Sequence, residues 1–239
     1  CYSLFNLWEN NGWGCLCGRP EEVNSIVKSL IAPIRCWQRN LLDTLVRKYY
    51  HQALEARAEG MVRLFERDIP ERCRILDLGG GWGFYNEPFK RRGHESLILD
   101  VVKPGYQKAP VVIYDGGRIP FGDRAFDVTL MATMLHHVPD PESMMAEVRR
   151  VTRTKVVVIE DLYHHAIGRL WTIARDRILN MEFLGHPHQF RKHEEWIQFF
   201  REKDFRLEKF RKFYTWISGF RILNGLYVWE CGENVGAIG

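Results

Sequence analysis

Ile75-Leu76-Asp77-Leu78-Gly79-Gly80-Gly81-Trp82-Gly83 sets an apolar run against a turn that holds four glycines in five positions. A continuous apolar run suits a strand buried on both faces. Glycines directly after it let the backbone turn sharply and approach a ligand without Cβ interference. Such a turn suits a nucleotide-like cofactor. The dinucleotide fingerprint Gly-x-Gly-x-x-Gly, which opens a helix onto a pyrophosphate, does not fit: counted from Gly79, its third glycine falls on Phe84. The spacing that holds is Asp-x-Gly-x-Gly-x-Gly, over Asp77, Gly79, Gly81 and Gly83. A carboxylate at that strand end would repel a pyrophosphate, but it can sit near a cationic or amine-bearing ligand.

The neighbouring segments extend the pattern. A helical stretch from Phe84 to Arg92 leads to Gly93, and a second strand, Ser96 to Asp100, ends on an acid. An acid about 20 residues beyond the glycines is placed to accept hydrogen bonds from ribose hydroxyls. A third strand, Val111 to Tyr114, precedes Asp115-Gly116-Gly117-Arg118-Ile119-Pro120-Phe121. Phe126-Asp127-Val128 opens a fourth strand, which closes on Leu135-His136-His137-Val138-Pro139-Asp140. In this order the motifs resemble those of the class I S-adenosylmethionine-dependent methyltransferases, in particular the ubiquinone/menaquinone-biosynthesis-like, type 11 branch. The resemblance is close over Cys73 to Glu160 and looser in the flanks. It implies an α/β, Rossmann-like fold: a seven-stranded, mostly parallel sheet with helices on both faces and a terminal antiparallel strand pair. It also implies S-adenosylmethionine as cofactor, held by Asp77, Gly79, Gly81, Gly83, Asp100, Asp115 at the adenine amino group, Gly116 and Met131. Asp127, at the entrance of its strand, is expected to be structural.

Outside these motifs lie the segments that would meet a second substrate. Residues 1–70 read as an N-terminal helical cover. Its helices run Glu21 to Ile31, Ile34 to Val46 and Tyr49 to Glu66, with apolar residues such as Leu41, Leu45 and Tyr49 at helical spacing. By resemblance the cover places Tyr49 or Tyr50 near the methionine end of the cofactor. The methyltransferase domain then spans 71–239. Its fifth strand, Lys155 to Ile159, is followed by an insertion at about 162–192, helical from Tyr163 to Met181 and then Gly185-His186-Pro187-His188-Gln189-Phe190. In related enzymes an insertion here shapes the acceptor pocket. A helix from Glu194 to Lys203 leads to two final strands, Arg206 to Tyr214 and Leu223 to Cys231, joined through Trp216 to Arg221.

By that resemblance the chain is expected to be a methyltransferase, and its 13% aromatic content and covering segments suggest a small, apolar or aromatic acceptor of quinone-, lipid- or natural-product type. A sulfonium methyl is already electrophilic, so the protein must mainly align an acceptor and exclude water. A hydroxyl, amine or activated ring carbon also needs a base, and histidine has the pKa nearest neutrality. His136, His137, His186 and His188 are the catalytic candidates, with Glu160, Asp161 and Tyr163 as alternatives. His186-Pro187-His188 points to the substrate site but is also an ordinary turn; no metal is expected, because binding there needs a third ligand that sequence alone does not place, and Cys15-Leu16-Cys17 is too tight for a zinc knuckle. The six cysteines are scattered and read as free thiols.

At 239 residues and 46% hydrophobic, the chain is long and apolar enough to bury a large core. Its net charge of +4 is spread among interleaved acids, as in Arg201-Glu202-Lys203-Asp204, which disfavours a nucleic-acid track. Neither a membrane span nor a signal peptide is read, and a cytoplasmic location is expected. The aromatic start, with Tyr2, Phe5, Trp8 and Trp13, suits an apolar substrate, peripheral contact with a membrane surface, or a second subunit. Two other readings remain: a non-catalytic S-adenosylmethionine-binding protein of the same fold, and a nicotinamide oxidoreductase, which the failed fingerprint opposes.

Overall fold

The structure, a computed structural model, describes residues 33, 36–180, 189–217 and 219–231. The expected helix from Glu21 to Ile31, the aromatic start, Cys1, Cys15, Cys17, His186 and His188 lie outside the described residues. Helix α1 (36–45) passes through a π-helical turn at Val46–Tyr50 directly into α2 (His51–Phe65). One continuous helical segment therefore replaces the two helices expected from the sequence. The extra residue per turn absorbs the break in apolar phase, and such turns often mark functional positions.

Seven strands follow: β1 (Arg74–Leu78), β2 (Glu95–Asp100), β3 (Val111–Ile113), β4 (Phe126–Ala132), β5 (Thr152–Asp161), β6 (Phe205–Ile217) and β7 (Phe220–Cys231). They form one sheet in the order β3-β2-β1-β4-β5-β7-β6. β1 pairs in parallel with β2 and β4, β2 with β3, and β4 with β5, while β7 is antiparallel to both β5 and β6. The terminal pair is longer than read from sequence. Trp216 and Arg221 are cross-strand partners rather than loop, and the pairing continues to Ile217 opposite Phe220. Gly219, at φ 84, supplies the left-handed conformation that a short hairpin turn needs.

Strand alternation divides the core into two layers. Along β5, Val156 and Val158 join one buried cluster and Val157 and Ile159 the other; along β7, Tyr227 and Trp229 oppose Leu226 and Val228 in the same way. The first layer packs α4 (Pro141–Val151) and α6 (His193–Arg201) through Met145, Val148, Trp196 and Phe200. The second packs α2 and α3 (Asn86–Arg91) through Met61, Val62, Phe65 and Phe89. Between β5 and α6 stands α5 (Ala166–Asn180). The strand order reverses between β1 and β4, and the crevice beyond the carboxyl ends of those strands is where open α/β sheets bind ligands.

Candidate active site

Asp77 of β1 is 1% exposed, and neither of its carboxylate oxygens accepts a hydrogen bond among the described residues. Burial, reinforced by the charge of nearby Asp100, pushes its pKa up to about 7. The turn after it is shaped by glycine. Gly79 sits at φ 70, and its N–H donates to Leu99 O at 2.7 Å. A Cβ at Gly80 would come within 2.5 Å of Asp77 Oδ2. At Gly81, φ 51, a Cβ would meet nothing within 4 Å, because this residue opens on a cavity. Gly83 serves differently: a Cβ there would lie 2.7 Å from Ile98 Cδ1, and the residue does not line the cavity.

Asp100 ends β2 with Oδ2 accepting the Gly81 N–H at 2.9 Å and Oδ1 accepting the Val102 N–H at 3.0 Å. Burial raises its pKa against the lowering effect of those amides. Trp82, half-buried against the second core layer, donates its indole N–H to Asp43 Oδ1 at 2.7 Å, while Asp43 Oδ2 accepts the Gly105 N–H at 2.7 Å. The glycine loop is thereby tied to α1.

A single cavity of about 820 Å³ runs from this turn toward the helical cover and the terminal hairpin. Asp77, Gly79, Gly81, Asp100, Tyr114 and Gly116 line its end at the glycine turn. Asp115 is exposed, with Oδ1 accepting the Gly117 N–H at 2.9 Å, and it does not reach the cavity wall. Met131 is fully buried in the core layer of α4 and α6; Ala132, Thr133 and Met134 line the cavity at that strand end instead. Strand parity turns Met131 inward, and the turn that follows brings the next residues to the wall. Thr133 takes φ 51, a strained conformation for a β-branched residue. Tyr50 lines the cavity, whereas Tyr49 is exposed. As expected from its place at the strand entrance, Asp127 is structural. It accepts the Arg74 N–H and pairs with Arg153 Nη1 at 2.7 Å.

A polar cluster stands at the far side. A 3-10 turn, Leu135–His137, carries His136 and His137. His136 is 1% exposed, and its Nδ1 lies 2.6 Å from Glu160 Oε2, while Glu160 Oε1 accepts the Leu135 N–H at 2.8 Å. The His136 ring stacks on Phe190 with centroids 4.2 Å apart. Its Nε2 is 3.7 Å from Asp176 Oδ1, and His137 Nε2 is 3.5 Å from Asp176 Oδ2. Burial alone would lower the His136 pKa, but the Glu160 and Asp176 carboxylates outweigh it and push the pKa up to about 10. His137 and Asp176 line the cavity; His136 and Glu160 stand behind them.

Beside this cluster, Asp161 is paired with Arg175 of α5 and accepts the Asn224 amide N–H at 2.6 Å. Asn224 Oδ1 in turn accepts the Thr215 hydroxyl at 2.6 Å. Burial raises the Asp161 pKa against the pull of Arg175. The sequence reading named His136, His137, Glu160 and Asp161 but missed Asp176, Arg175, Asn224 and Asp43. The available signal for two of them was Asp176, the single acid of a helix whose other charges are Arg169, Arg175 and Arg177.

The sheet order, the glycine turn between two acids and the antiparallel terminal pair define the class I methyltransferase fold. Residues 76–159 match the methyltransferase domain family. The fold is that of the class I S-adenosylmethionine-dependent methyltransferases. The chain is 30% identical over 115 residues to a demethylmenaquinone methyltransferase from Renibacterium salmoninarum, covering 44% of this chain and 48% of that one. It is 38% identical over 87 residues to an uncharacterized methyltransferase from Mycobacterium sp. (strain KMS), covering 33% and 34%. The chain thus spans half or less of these relatives. Among solved structures it resembles a SAM-dependent methyltransferase from Methanosarcina mazei (TM-score 0.55, 19% identity, 70% of this chain and 96% of that one). It also resembles one from Thermotoga maritima (TM-score 0.57, 17% identity, 81% and 99%). No described helix is long and apolar enough to cross a membrane.

Proposed function

We propose that the chain transfers a methyl group from S-adenosylmethionine to a small apolar acceptor bound beneath α1, α2 and α5. The observation that carries this reading is the continuity of the cavity. One space of about 820 Å³ joins the glycine turn to a wall of Tyr50, Ile178, Trp216, Phe220 and Ile222, with His137 and Asp176 also on its surface. Small-molecule sites occupy roughly 300–1,000 Å³, so this space suits a cofactor together with an acceptor.

The residues present fit the cofactor. Two unpaired buried oxygens on Asp77 suit its amino group, Gly81 leaves open space where a Cβ would stand, and Asp100 sits at the β2 end where ribose hydroxyls would be held. When bound, the cofactor supplies an electrophilic methyl on a sulfonium. The chain's own part is to align the acceptor, exclude water with its apolar wall, and receive a proton. His136 stands behind the wall with its Nδ1 held by Glu160, so it does not itself meet the acceptor. His137 and Asp176 are the groups on the wall that can meet the acceptor's proton. The segment of about 162–192, which contributes Arg175, Asp176 and Ile178, acts as the acceptor lid over domain 71–239, and residues 1–70 as the cover.

The name of the Renibacterium relative favours a quinone-type acceptor, and the aromatic wall supports it. The test is transfer of a labelled methyl group from S-adenosylmethionine to a reduced naphthoquinone, with a polar amine of similar size in parallel. Transfer to the quinol alone is expected. Transfer to the amine alone would reject the apolar acceptor. S-adenosylmethionine binding without transfer to any of a broad acceptor panel would favour the non-catalytic alternative.

A further inference from the structure

His136, His137 and Asp176 converge at a spacing that suits a shared ion. One nitrogen from each ring and one carboxylate oxygen lie within 4.8 Å of one another, and the histidine nitrogens approach Asp176 at 3.5 and 3.7 Å. These separations are longer than the roughly 2.7–3.2 Å usual for an N–H···O bond. Two donors bound at about 2.1 Å to one tetrahedral ion lie about 3.4 Å apart, which is close to what these residues present. His136 Nε2 is buried and makes no hydrogen bond among the described residues. Its other nitrogen is held by Glu160 at 2.6 Å, the arrangement in which a carboxylate fixes the tautomer and aim of a metal-ligating imidazole.

We propose that His136 Nε2, His137 Nε2 and Asp176 form a three-ligand site for a first-row divalent cation such as Zn²⁺, with its open position toward the cavity. Two imidazoles and one carboxylate suit such an ion better than Mg²⁺ or Ca²⁺, which prefer all-oxygen shells. The local charge agrees. Glu160, Asp161 and Asp176 bring three carboxylates to this corner of the structure, and among the described residues the Arg175 guanidinium pairs with Asp161. His137 and Asp176 line the cavity, so an oxygen-bearing acceptor can complete the shell. This last point rests on the methyl-transfer reading; the ion site does not. A coordinated hydroxyl loses its proton to water at lower pH. Its oxygen then forms the bond to the methyl carbon as the carbon–sulfur bond breaks and the electron pair passes to sulfur, leaving a thioether.

The test uses the full chain, stripped with a chelator and titrated with Zn²⁺ by calorimetry and by equilibrium dialysis with elemental analysis. One tight equivalent is expected for the unsubstituted protein. Asp176→Asn and His136→Ala should each weaken it at least about 100-fold. Glu160→Gln keeps an acceptor for the Leu135 N–H and should weaken it about 10–100-fold. His193→Ala, at a ring stacked on Phe210, should leave it unchanged. S-adenosylmethionine affinity, measured on the same samples, reports that each variant is folded. Asp176→Asn, on the cavity-facing side of α5, keeps the test decisive if the buried His136 variant unfolds. Absence of a one-equivalent Zn²⁺ site, or equal affinity in Asp176→Asn, overturns the proposal. Zn²⁺ binding without S-adenosylmethionine binding would instead overturn the methyl-transfer reading and leave the ion site standing.

Discussion

Asp77→Asn tests whether the turn holds a buried carboxyl kept for a cationic ligand. Its pKa rises from 3.8 to about 7 as burial and the Asp100 charge disfavour the ionised form. The folded chain therefore holds the proton more tightly than the unfolded chain. Stability is highest below 3.8, falls as pH climbs from there to about 7, and levels off above it. At about 1.4 kcal/mol per pH unit the full rise amounts to about 4 kcal/mol, of which about 2–3 kcal/mol falls between pH 5 and pH 8. Asparagine has the same shape and no charge, so the variant lacks this slope. The buried amide brings its own cost of about 1–3 kcal/mol at either pH, and that cost cancels when the two pH values are compared. The assay is urea unfolding of both proteins at pH 5 and pH 8 without ligand. Relative to the unsubstituted protein, the variant should gain about 2–3 kcal/mol on going from pH 5 to pH 8. Its S-adenosylmethionine affinity should fall about 10–100-fold through loss of a charged hydrogen bond. Parallel stabilities at the two pH values would refute the buried-carboxyl reasoning, and unchanged affinity would refute the role assigned to it.

Three further outcomes follow from the geometry. Gly83→Ala drives a Cβ to 2.7 Å from Ile98 Cδ1 at φ 79, and should lower thermal stability by more than about 2 kcal/mol, whereas Gly81→Ala has free space at φ 51 and should cost only the left-handed strain of about 1–2 kcal/mol while weakening cofactor binding. A larger stability loss at Gly81 than at Gly83 would contradict this. Arg175→Met strips Asp161 of its buried cation and should cost about 3–5 kcal/mol at pH 8, less at pH 5 where the carboxyl can take up a proton; a pH-independent loss in urea unfolding would argue against the ion pair. Trp82→Phe removes the 2.7 Å bond to Asp43 and should loosen α1, seen as faster amide exchange across 36–45 and a several-fold rise in the S-adenosylmethionine Kd; unchanged exchange would sever the link.

Local signals carried most of the fold. β1, the glycine turn, β2 and β4 each declare themselves by a run of apolar residues followed by punctuation, and their order defines the sheet. Boundaries slipped where a tertiary partner extended an element. β5 runs to Asp161 because β7 pairs with it there, Asp161 opposite Asn224, and the hairpin pair lengthens by the same mechanism. The site was legible where the ligand-facing group is backbone or a strand-end acid, as at Gly81 and Asp100. It was not legible where function depends on residues meeting across the sheet edge. Asp176 lies 39 positions beyond His137 on a helix whose rotation the sequence does not specify, and Met131 and Ala132 differ by one step of strand parity that decides core against wall.

The acids of the crevice fall into two groups that the chain treats in opposite ways. Among the described residues Asp77 and Asp100 form no ion pair, and burial raises the pKa of both. Glu160 and Asp161 are each given a cationic partner, His136 and Arg175, drawn from the turn after β4 and from α5. Leaving a buried carboxylate unpaired costs stability, and a fold that only needed to close its core would place an apolar residue or a paired acid at the end of β1. The unpaired group persists at the end of the cavity where glycines expose backbone, and the compensated group at the end where Trp216, Phe220 and Ile222 line the wall. The cavity is therefore polarised along its length. One end presents buried acids without an ion pair among the described residues, which suits a cationic ligand, and the other adds an apolar surface. A sulfonium-bearing donor and an apolar acceptor are a pair that such a gradient would orient without further contacts, and exchanging Arg175 for a neutral residue should weaken that discrimination along with the packing of α5.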